Sequence, residues 1–285
     1  MRWLKILAFR PETSQVHSEI ETHPRHVGRA QIGFCLRMPR CSHIVRVFYS
    51  KPIMGCDEEK AQKAMRWLSS DEYRRATGFR SDTSRRLFVT SRIVLRTWLS
   101  QRAGVSPHEL RFTKNRYGRP TLAEPSAIRY IKFSLSHTDG LVMCAFSDNL
   151  DLGVDAEFVR KPPIEVAEDL FAPSELLAIE RTRGNLRAKT FFKYWTLKEA
   201  YLKARGLGLS IPLDSFLIDI KENDEILLTV DAREDPRRNS WVLRSMQPTA
   251  THAAAICVDG SCGKQIHIRS VWVDPSEVLA SGSIE

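Results

Sequence analysis

The sequence lacks the patterns that would mark a membrane protein, a zinc or dithiol protein, and two common enzyme types. No run of 18 apolar residues occurs among the 285, so no transmembrane helix is predicted. The six cysteines show no C-x-x-C spacing, which argues against a zinc or redox-active dithiol site. No G-x-S-x-G stretch surrounds a serine, and GLGLS at 206–210 follows a predicted helix instead of joining a strand to one. A hydrolase elbow and a dinucleotide-binding loop are therefore not predicted.

The cysteines and the chain start indicate a cytoplasmic protein. Cys144 and Cys257 lie in the apolar runs LVMCAF and AAAICV, which is typical of free buried thiols in a reducing compartment. The opening MRWLKILAFRPE is too short and too quickly charged for a signal peptide. Residues 1–43 show no lasting periodicity and are expected to be a poorly ordered N-terminal extension. They are either a functional tail or an over-extended start, with Met38 as an alternative initiator.

Lysine and arginine outnumber the acidic residues, 43 to 34, and the formal net charge is +9. This excess favours an acidic partner such as a nucleic acid, an anionic membrane, an acidic protein or a polyphosphate. One predicted helix, SRRLFVTSRIVLRTWLSQRAG, carries Arg85, Arg86, Arg92 and Arg96. These arginines form either a solvated helix face or, in a rival interpretation of the whole chain, a nucleic-acid-binding surface.

Helices and strands are predicted in mixed order, which favours an α+β fold over a doubly wound parallel sheet. The folded part is predicted to begin with a strand in HIVRVFYSKPI. Three helices are predicted before the middle of the chain: one at about 58–68, one that begins at SSDEYRR, and the arginine-rich helix that ends near Gly104. Three more are predicted after it: one at about 165–170, one capped by Ser174, and one at 187–204. The other predicted strands are LRFTKN, YIKFSLSH, LVMCAFS, LDLGVDAEFV, SFLIDI, EILLTV, WVLRSM, HAAAICV and QIHIRSVWV.

Three carboxylates are the main candidates for chemistry. Asp155 and Glu157, in LDLGVDAEFV, are one residue apart and so project to the same side of the strand, where they can share a Mg²⁺ ion. Alone, the pair is more typical of a half-exposed polar strand face. Glu199 falls inside the apolar arc of the helix at 187–204, where a carboxylate needs a partner or a function. The alternative is a buried Glu neutralised by a nearby cation; the candidates are Lys198, Lys203 and Arg205.

Two other segments carry groups that suit phosphate. SLSHTDG places Ser136 and His137 at a strand end beside a turn, and KNRYGRP places Lys114 and Arg119 about a tight turn. Hydroxyl and imidazole groups at a loop can hold a phosphate, and guanidinium groups are well matched to its oxygens.

Four segments together resemble the signature of the 4′-phosphopantetheinyl transferases, in particular their broad-specificity monomeric, surfactin-synthetase-activating subclass. In chain order they are YGRP, SLSH, GVDAE and FFKYWTLKEAYLKARGLGL. Residues 153–157 match the pattern G-[IV]-D-x-E, and residues 195–203 match W-[TS]-x-K-E-[AS]-[FY]-x-K. The resemblance runs from about Ile44 to the strand near Val273; the extension lies outside it, and the turn in SHTDG is one residue longer than expected.

The resemblance implies two similar α+β halves related by a pseudo-twofold axis, here 44–148 and 149–285, with coenzyme A and Mg²⁺ bound between them. It implies that a serine hydroxyl of an apo acyl, aryl or peptidyl carrier protein attacks the β-phosphate of coenzyme A and releases adenosine 3′,5′-bisphosphate. The expected protein is thus a monomeric cytoplasmic transferase that binds neither nucleic acid nor membrane.

The resemblance also implies roles for individual residues. The metal ligands would be Asp155, Glu157 and Glu199, and Glu199 would also be the base for the serine, either directly or through a metal-bound water. The diphosphate would be met by Lys203, and the nucleotide's phosphates by Ser136 and His137. The adenine and 3′-phosphate region would be bound by Lys114, Arg119, and Arg85 or Arg86. Lys198 would orient Glu199 or meet phosphate.

Overall fold

The computed structural model describes residues 43–53, 58–168 and 170–284, so the predicted N-terminal extension lies outside the described residues except for His43. The helices are α1 (Glu58–Arg66), α2 (Ser70–Thr77), α3 (Asp82–Ala103), α4 (Ile164–Ala167), α5 (Pro173–Glu180), α6 (Gly184–Arg205) and α7 (Pro275–Ser281). The strands are β1 (His43–Ser50), β2 (Arg111–Lys114), β3 (Pro120–Glu124), β4 (Ile131–Thr138), β5 (Leu141–Asp148), β6 (Leu152–Phe158), β7 (Leu217–Ile220), β8 (Ile226–Thr229), β9 (Trp241–Thr249), β10 (His252–Asp259) and β11 (Ile266–Trp272). Within these described stretches, no helix combines the length and the apolar character needed to cross a bilayer.

The strands form two main sheets and two hairpins. One sheet has the order β11-β1-β5-β4 and the other β6-β10-β9. The hairpins are β2–β3 and β7–β8. Pairing is antiparallel except between β1 and β11, which run parallel. Because helices cover mainly antiparallel sheets, the predicted α+β class is confirmed.

The order of elements repeats along the chain. A strand, two short helices, a 22-residue helix, a hairpin and two antiparallel strands occur first as β1 to β5 and again as β6 to β10. In both sheets the first strand of the run pairs with the last. This repeat is compatible with two similar halves, whose boundaries at 148/149 stay a prediction. In contrast to that division, β11 and α7 return to the first half, where they pack on β1 and α3.

Two apolar cores set the orientation of β6. One lies between α3 and the β1–β5–β4 sheet, where the rings of Trp98 and Phe146 stack with centroids 4.2 Å apart. The other lies between the two sheets, and β6 contributes Leu152, Val154 and Ala156 to it. Since side chains alternate along a strand, the intervening residues of β6 face away from this core and toward α6.

The start of α5 differs from the prediction that Ser174 caps it. Ala172 is the residue before the helix, and Pro173 takes the first helical position, where its missing N–H costs no hydrogen bond. The side chain of Glu175 accepts the N–H of Ala172, the residue before the helix, at 2.8 Å. Glu175 itself is buried.

Between residues 191 and 205, helix α6 is buried on most of its circumference, not along one apolar arc. It begins at Gly184, three residues before the predicted start, and packs on β6, β10 and α5. Between 191 and 205, the partly exposed positions are Lys193, Glu199, Lys203 and Arg205. Glu199 therefore lies where the buried surface of the helix opens, not inside it.

Candidate active site

Gly153 lets α6 lie directly on β6. A Cβ at this position would be 2.8 Å from the carbonyl carbon of Lys203 and closer still to the carbonyl oxygen of Ala200 and the amide nitrogen of Ala204. Only a residue without a side chain permits this approach. The contact brings the face of β6 that carries Asp155 against the face of α6 that carries Lys203.

Asp155 is buried, with only 1% of its surface exposed, and lies where β4, β6 and α6 meet. Its Oδ1 accepts hydrogen bonds from the Ser136 hydroxyl at 2.8 Å and from the Lys203 ammonium at 2.7 Å. Its Oδ2 has no hydrogen-bond partner among the described residues. A buried carboxylate oxygen without a donor is costly, so this atom suits a cation.

Glu157 lies two residues further along β6 and is also buried. Its Oε2 accepts a hydrogen bond of 3.3 Å from the hydroxyl of Thr138. Ser136 and Thr138 are themselves two residues apart on β4, so their partners Asp155 and Glu157 lie on one side of β6, as predicted. The burial of both carboxylates excludes the alternative of a half-exposed polar strand face.

The three cations considered as partners of Glu199 are each bound to a different carboxylate. Lys203 pairs with Asp155 at 2.7 Å, Arg205 with Asp235 at 3.0 Å, and Lys198 with Glu175 at 2.8 Å. Glu199 precedes Lys203 by one helical turn and is on the same side of α6. Because Glu199 is partly exposed, it lies at the opening of the buried helix surface, on the side of α6 that carries Lys203.

Lys198 is an anchor of the fold, which corrects the expectation that it meets phosphate. Its side chain is fully buried, and its ammonium also donates to the carbonyl oxygens of Leu213 and Phe216, both at 2.7 Å. Burial lowers the pKa of Lys198 and raises that of Glu175, and their mutual attraction opposes both shifts. Every proton of this ammonium has an acceptor, so the group is not available to a ligand.

The carboxylate oxygens at Asp155 and Glu157 are suitable ligands for a divalent cation. Asp155 and Glu157 offer hard oxygen ligands on one strand face, and the buried Oδ2 of Asp155 faces no donor among the described residues. The described side chains nevertheless contain no group of three or more His, Cys, Asp or Glu drawn together as a metal cluster. The magnesium site thus remains a prediction.

The remaining residues of the predicted phosphate site lie on β4 and on the β2–β3 turn. His137 is exposed beside Ser136 and pairs with Val142 across the β4–β5 turn. Arg119 lies against the end of α6, where it donates to the carbonyl oxygens of Ala204 at 2.9 Å and Leu152 at 3.2 Å. Burial lowers the pKa of its guanidinium. The turn that carries Arg119 is therefore docked on the helix that carries Lys203.

A basic cavity of about 710 Å³ lies between α2, α3 and β2. Its positively charged lining residues are Arg66, Arg75, Arg92, Arg96, Arg111 and Lys114. Arg75 is exposed, and the buried Nε of Arg92 has no hydrogen-bond partner in the described part of the chain. Burial lowers the pKa of Arg92, with Glu72 opposing that shift. Arg85 and Arg86, which the resemblance assigns to the 3′-phosphate, do not line this cavity among the described residues. Both pair with Asp82 instead.

The sequence did not predict that Arg66, Arg75 and Arg111 line one cavity, because they belong to separate elements. The signal that was present is the charge of α2 itself, where Arg75 follows an acidic first turn. A cavity between α2 and β2 cannot be recognised from periodicity, since it depends on how distant segments pack.

The four α3 arginines do not share one environment: Arg85 and Arg86 are partly exposed, whereas Arg92 and Arg96 are turned inward. Arg96 is buried and donates to Glu72 at 2.7 Å and to the carbonyl oxygens of Pro107 and Leu110. Arg92 is mostly buried and stacks on the ring of Phe88.

Comparisons with known proteins identify the family of the chain. A model of the 4′-phosphopantetheinyl transferase superfamily matches residues 151–257, and a model of the N-terminal part of 4′-phosphopantetheinyl transferases matches residues 56–149. The chain is 30% identical over 220 residues to the 4′-phosphopantetheinyl transferase HetI of Nostoc sp., which covers 76% of this chain and 87% of that protein.

Two further relatives carry the same description. The 4′-phosphopantetheinyl transferase gsp of Aneurinibacillus migulanus is 30% identical over 178 residues, or 62% of this chain and 67% of the relative. The 4′-phosphopantetheinyl transferase Sfp of Bacillus subtilis is 23% identical over 194 residues, or 68% of this chain and 83% of the relative. With the matched models and the extent of the HetI similarity, the chain belongs to the 4′-phosphopantetheinyl transferase superfamily.

Proposed function

We propose that the protein is a phosphopantetheinyl transferase, which moves the 4′-phosphopantetheine group of coenzyme A to a serine of an apo carrier protein. The observation that carries the proposal is the carboxylate of Asp155, in a chain of this family. One oxygen of this buried group binds the Lys203 ammonium, and the other has no hydrogen-bond partner among the described residues. Such a group is suited to a reaction in which charge must be neutralised around a diphosphate.

In the proposed reaction the serine oxygen attacks the β-phosphorus of coenzyme A. The bond from that phosphorus to the oxygen bridging the α-phosphate breaks, and adenosine 3′,5′-bisphosphate leaves with the bond's electron pair. Glu199, which is partly exposed beside the site, takes the serine proton. Lys203 and His137 contact the phosphate oxygens, where the positive charge of Lys203 stabilises the departing bisphosphate.

Asp155, Glu157 and Glu199 would hold Mg²⁺, which when bound supplies positive charge to the diphosphate oxygens. Ser136 keeps the Asp155 carboxylate in place through its 2.8 Å hydrogen bond. Lys203 has a second task in this proposal, because its ammonium balances the buried charge of Asp155.

The basic cavity is the proposed site of the 3′-phosphate end of coenzyme A. Exposed Arg75 and Lys114 provide positive charge at its wall. The mostly buried Arg92 adds charge there, although its Nε lies 3.5 Å from a carboxylate oxygen of Glu72. Guanidinium groups bind phosphate oxygens with two parallel hydrogen bonds, which suits a terminal phosphate. Arg119, on the turn between the cavity and α6, is the proposed link toward the diphosphate.

Acyl, aryl or peptidyl carrier proteins are the proposed partners, and the protein is proposed to act as a cytoplasmic monomer. The positive net charge of the chain favours encounter with acidic carriers and with coenzyme A. Neither a nucleic acid nor a membrane surface is a proposed partner.

Intact mass spectrometry tests the function. An apo carrier protein incubated with coenzyme A, Mg²⁺ and this protein should gain one phosphopantetheine group. Glu199→Gln and Asp155→Ala should abolish the gain while the variants keep the circular dichroism spectrum of the wild type. Glu180→Gln, an exposed carboxylate on α5, is the matched control and should transfer normally. Absence of any adduct on a panel of acyl and peptidyl carriers, with folded enzyme, would refute the proposal.

A further inference from the structure

Three hydroxyl groups on β4 join the two main sheets. Ser134, Ser136 and Thr138, here called the hydroxyl row, lie at alternate positions of the strand and are all buried. They accept the main-chain N–H groups of Val154, Ala156 and Phe158 at 3.1, 3.2 and 3.1 Å. The separation is twenty residues in each case, so β4 and β6 run in the same direction along this contact.

The hydroxyl row replaces a main-chain ladder. β4 is the outer strand of one sheet and β6 the outer strand of the other, and the described pairing contains no ladder between them. A buried N–H needs an acceptor, and here a side chain supplies it at every second residue of β6. The row therefore fixes the position of β6 relative to β4 along the strand direction.

Each hydroxyl that accepts an N–H still has a proton to donate. Ser136 donates its proton to Oδ1 of Asp155 at 2.8 Å, and Thr138 donates to Oε2 of Glu157 at 3.3 Å. Ser134 stands opposite Gly153, which offers no carboxylate. The row thus contains two members that join a carboxylate to the sheet junction and one member that only closes the junction.

We propose that Thr138 is a positioning residue for Glu157 in the candidate active site. Its hydroxyl is held in one orientation by the Phe158 N–H, and that orientation sends its proton to the Glu157 carboxylate. Strand alternation places Glu157 on the same side of β6 as Asp155, and the Thr138 hydrogen bond orients the Glu157 carboxylate there, so that both can act on one cation. The inference rests on the proposed function and adds to it a residue that does not itself touch substrate.

The closing experiment measures cation binding in the full chain without coenzyme A. Mn²⁺, a paramagnetic substitute for Mg²⁺, is titrated into wild type and variants, and free Mn²⁺ is followed by electron paramagnetic resonance. Thr138→Val should weaken binding by about tenfold, as is common when a residue that orients a metal ligand is lost. Thr138→Ser keeps the hydroxyl and should stay within about twofold of wild type.

Ser134→Ala is the matched control. It removes the hydroxyl that accepts the Val154 N–H of β6, but that hydroxyl donates to no carboxylate of β6. It should lower the melting temperature but leave the Mn²⁺ affinity unchanged. In the transfer assay, Thr138→Val should raise the Mg²⁺ concentration needed for half-maximal rate without changing KM for coenzyme A.

The inference is overturned by wild-type Mn²⁺ affinity in Thr138→Val, or by an equal loss in Thr138→Ser or Ser134→Ala. If Thr138→Val does not fold, Thr138→Ala replaces it in the same comparison. Failure of the proposed function is a separate result: the wild type would transfer nothing to any carrier, while the Mn²⁺ titrations would still decide whether Thr138 orients Glu157.

Discussion

The ammonium of Lys203 lies 2.7 Å from Oδ1 of Asp155, and this contact joins helix α6 to strand β6. The same ammonium donates to the carbonyl oxygen of Val154 at 2.9 Å. One side chain thus binds both the charged group and the main chain of the strand. The contact exists because Gly153 allows the helix to lie directly on the strand.

Lys203→Met should lower the rate of transfer by about 10²-fold, since one cation that stabilises developing charge is lost. The same change should tighten Mn²⁺ binding in the absence of coenzyme A, because an ammonium no longer competes for Asp155. Single-turnover kinetics and Mn²⁺ titration measure the two effects. Lys193→Met, on the same helix but paired with exposed Asp224, is the control and should change neither. Normal transfer by Lys203→Met would remove Lys203 from the chemistry.

Gly153→Ala should destabilise the fold by about 3 kcal/mol or more, because the added methyl group meets the backbone of α6, which cannot move like a side chain. Denaturant unfolding followed by fluorescence measures this loss. Gly78→Ala provides the comparison: its φ is −79° and its Cβ would meet the Arg74 carbonyl at an ordinary 3.4 Å. Equal stability losses at the two positions would contradict the close approach of helix and strand.

Arg75→Ala should raise KM for coenzyme A by about tenfold, which corresponds to one lost charge-assisted hydrogen bond. With 3′-dephospho-coenzyme A as substrate, the same variant should behave like wild type, since the partner phosphate is missing. Arg85→Ala distinguishes the assignment made by resemblance from the one made by the cavity. A KM increase confined to Arg85→Ala would favour the resemblance and would remove the basic cavity from the 3′-phosphate site.

Cys144 should resist alkylation in the folded protein. Burial raises the pKa of its thiol to about 12, so at pH 8 almost none is present as the reactive thiolate. Cys262 is exposed and should react before Cys144. Peptide mapping after iodoacetamide treatment, with and without denaturant, measures both. Rapid modification of Cys144 without denaturant would show that the core between α3 and β5 opens readily.

The sequence predicted the acidic pair well because strand alternation is a local rule. Asp155 and Glu157 occupy one side of β6 as expected, and most strands and helices lie within a few residues of their predicted positions. The Thr138 contact was also visible in principle, since SLSHT places hydroxyls at alternate residues of one strand. Its meaning appears only when β4 and β6 are seen to meet.

The parts that could not be predicted depend on distant segments. Lys198 was expected to pair with or orient Glu199 or to meet phosphate, yet its partner Glu175 comes from α5 and no helical period reveals that pairing. Arg96 looked like a surface residue until Glu72 of α2 was found against it. In both cases a positively charged helix residue is buried because an ion pair with a carboxylate from another helix offsets the cost of removing its charge from water.

The hydroxyl row makes the junction of the two sheets depend on the identity of side chains. A main-chain ladder forms whatever residues its strands carry, proline excepted, whereas this junction exists only where serine or threonine occupies three positions of β4. Substitutions of Ser136 or Thr138 act on the junction of the two sheets and on the acidic site together, whereas substitutions of Ser134 act on the junction alone. The acidic site therefore cannot keep its geometry if Ser136 and Thr138 change to residues without a hydroxyl, because the same hydroxyls also hold the two sheets together.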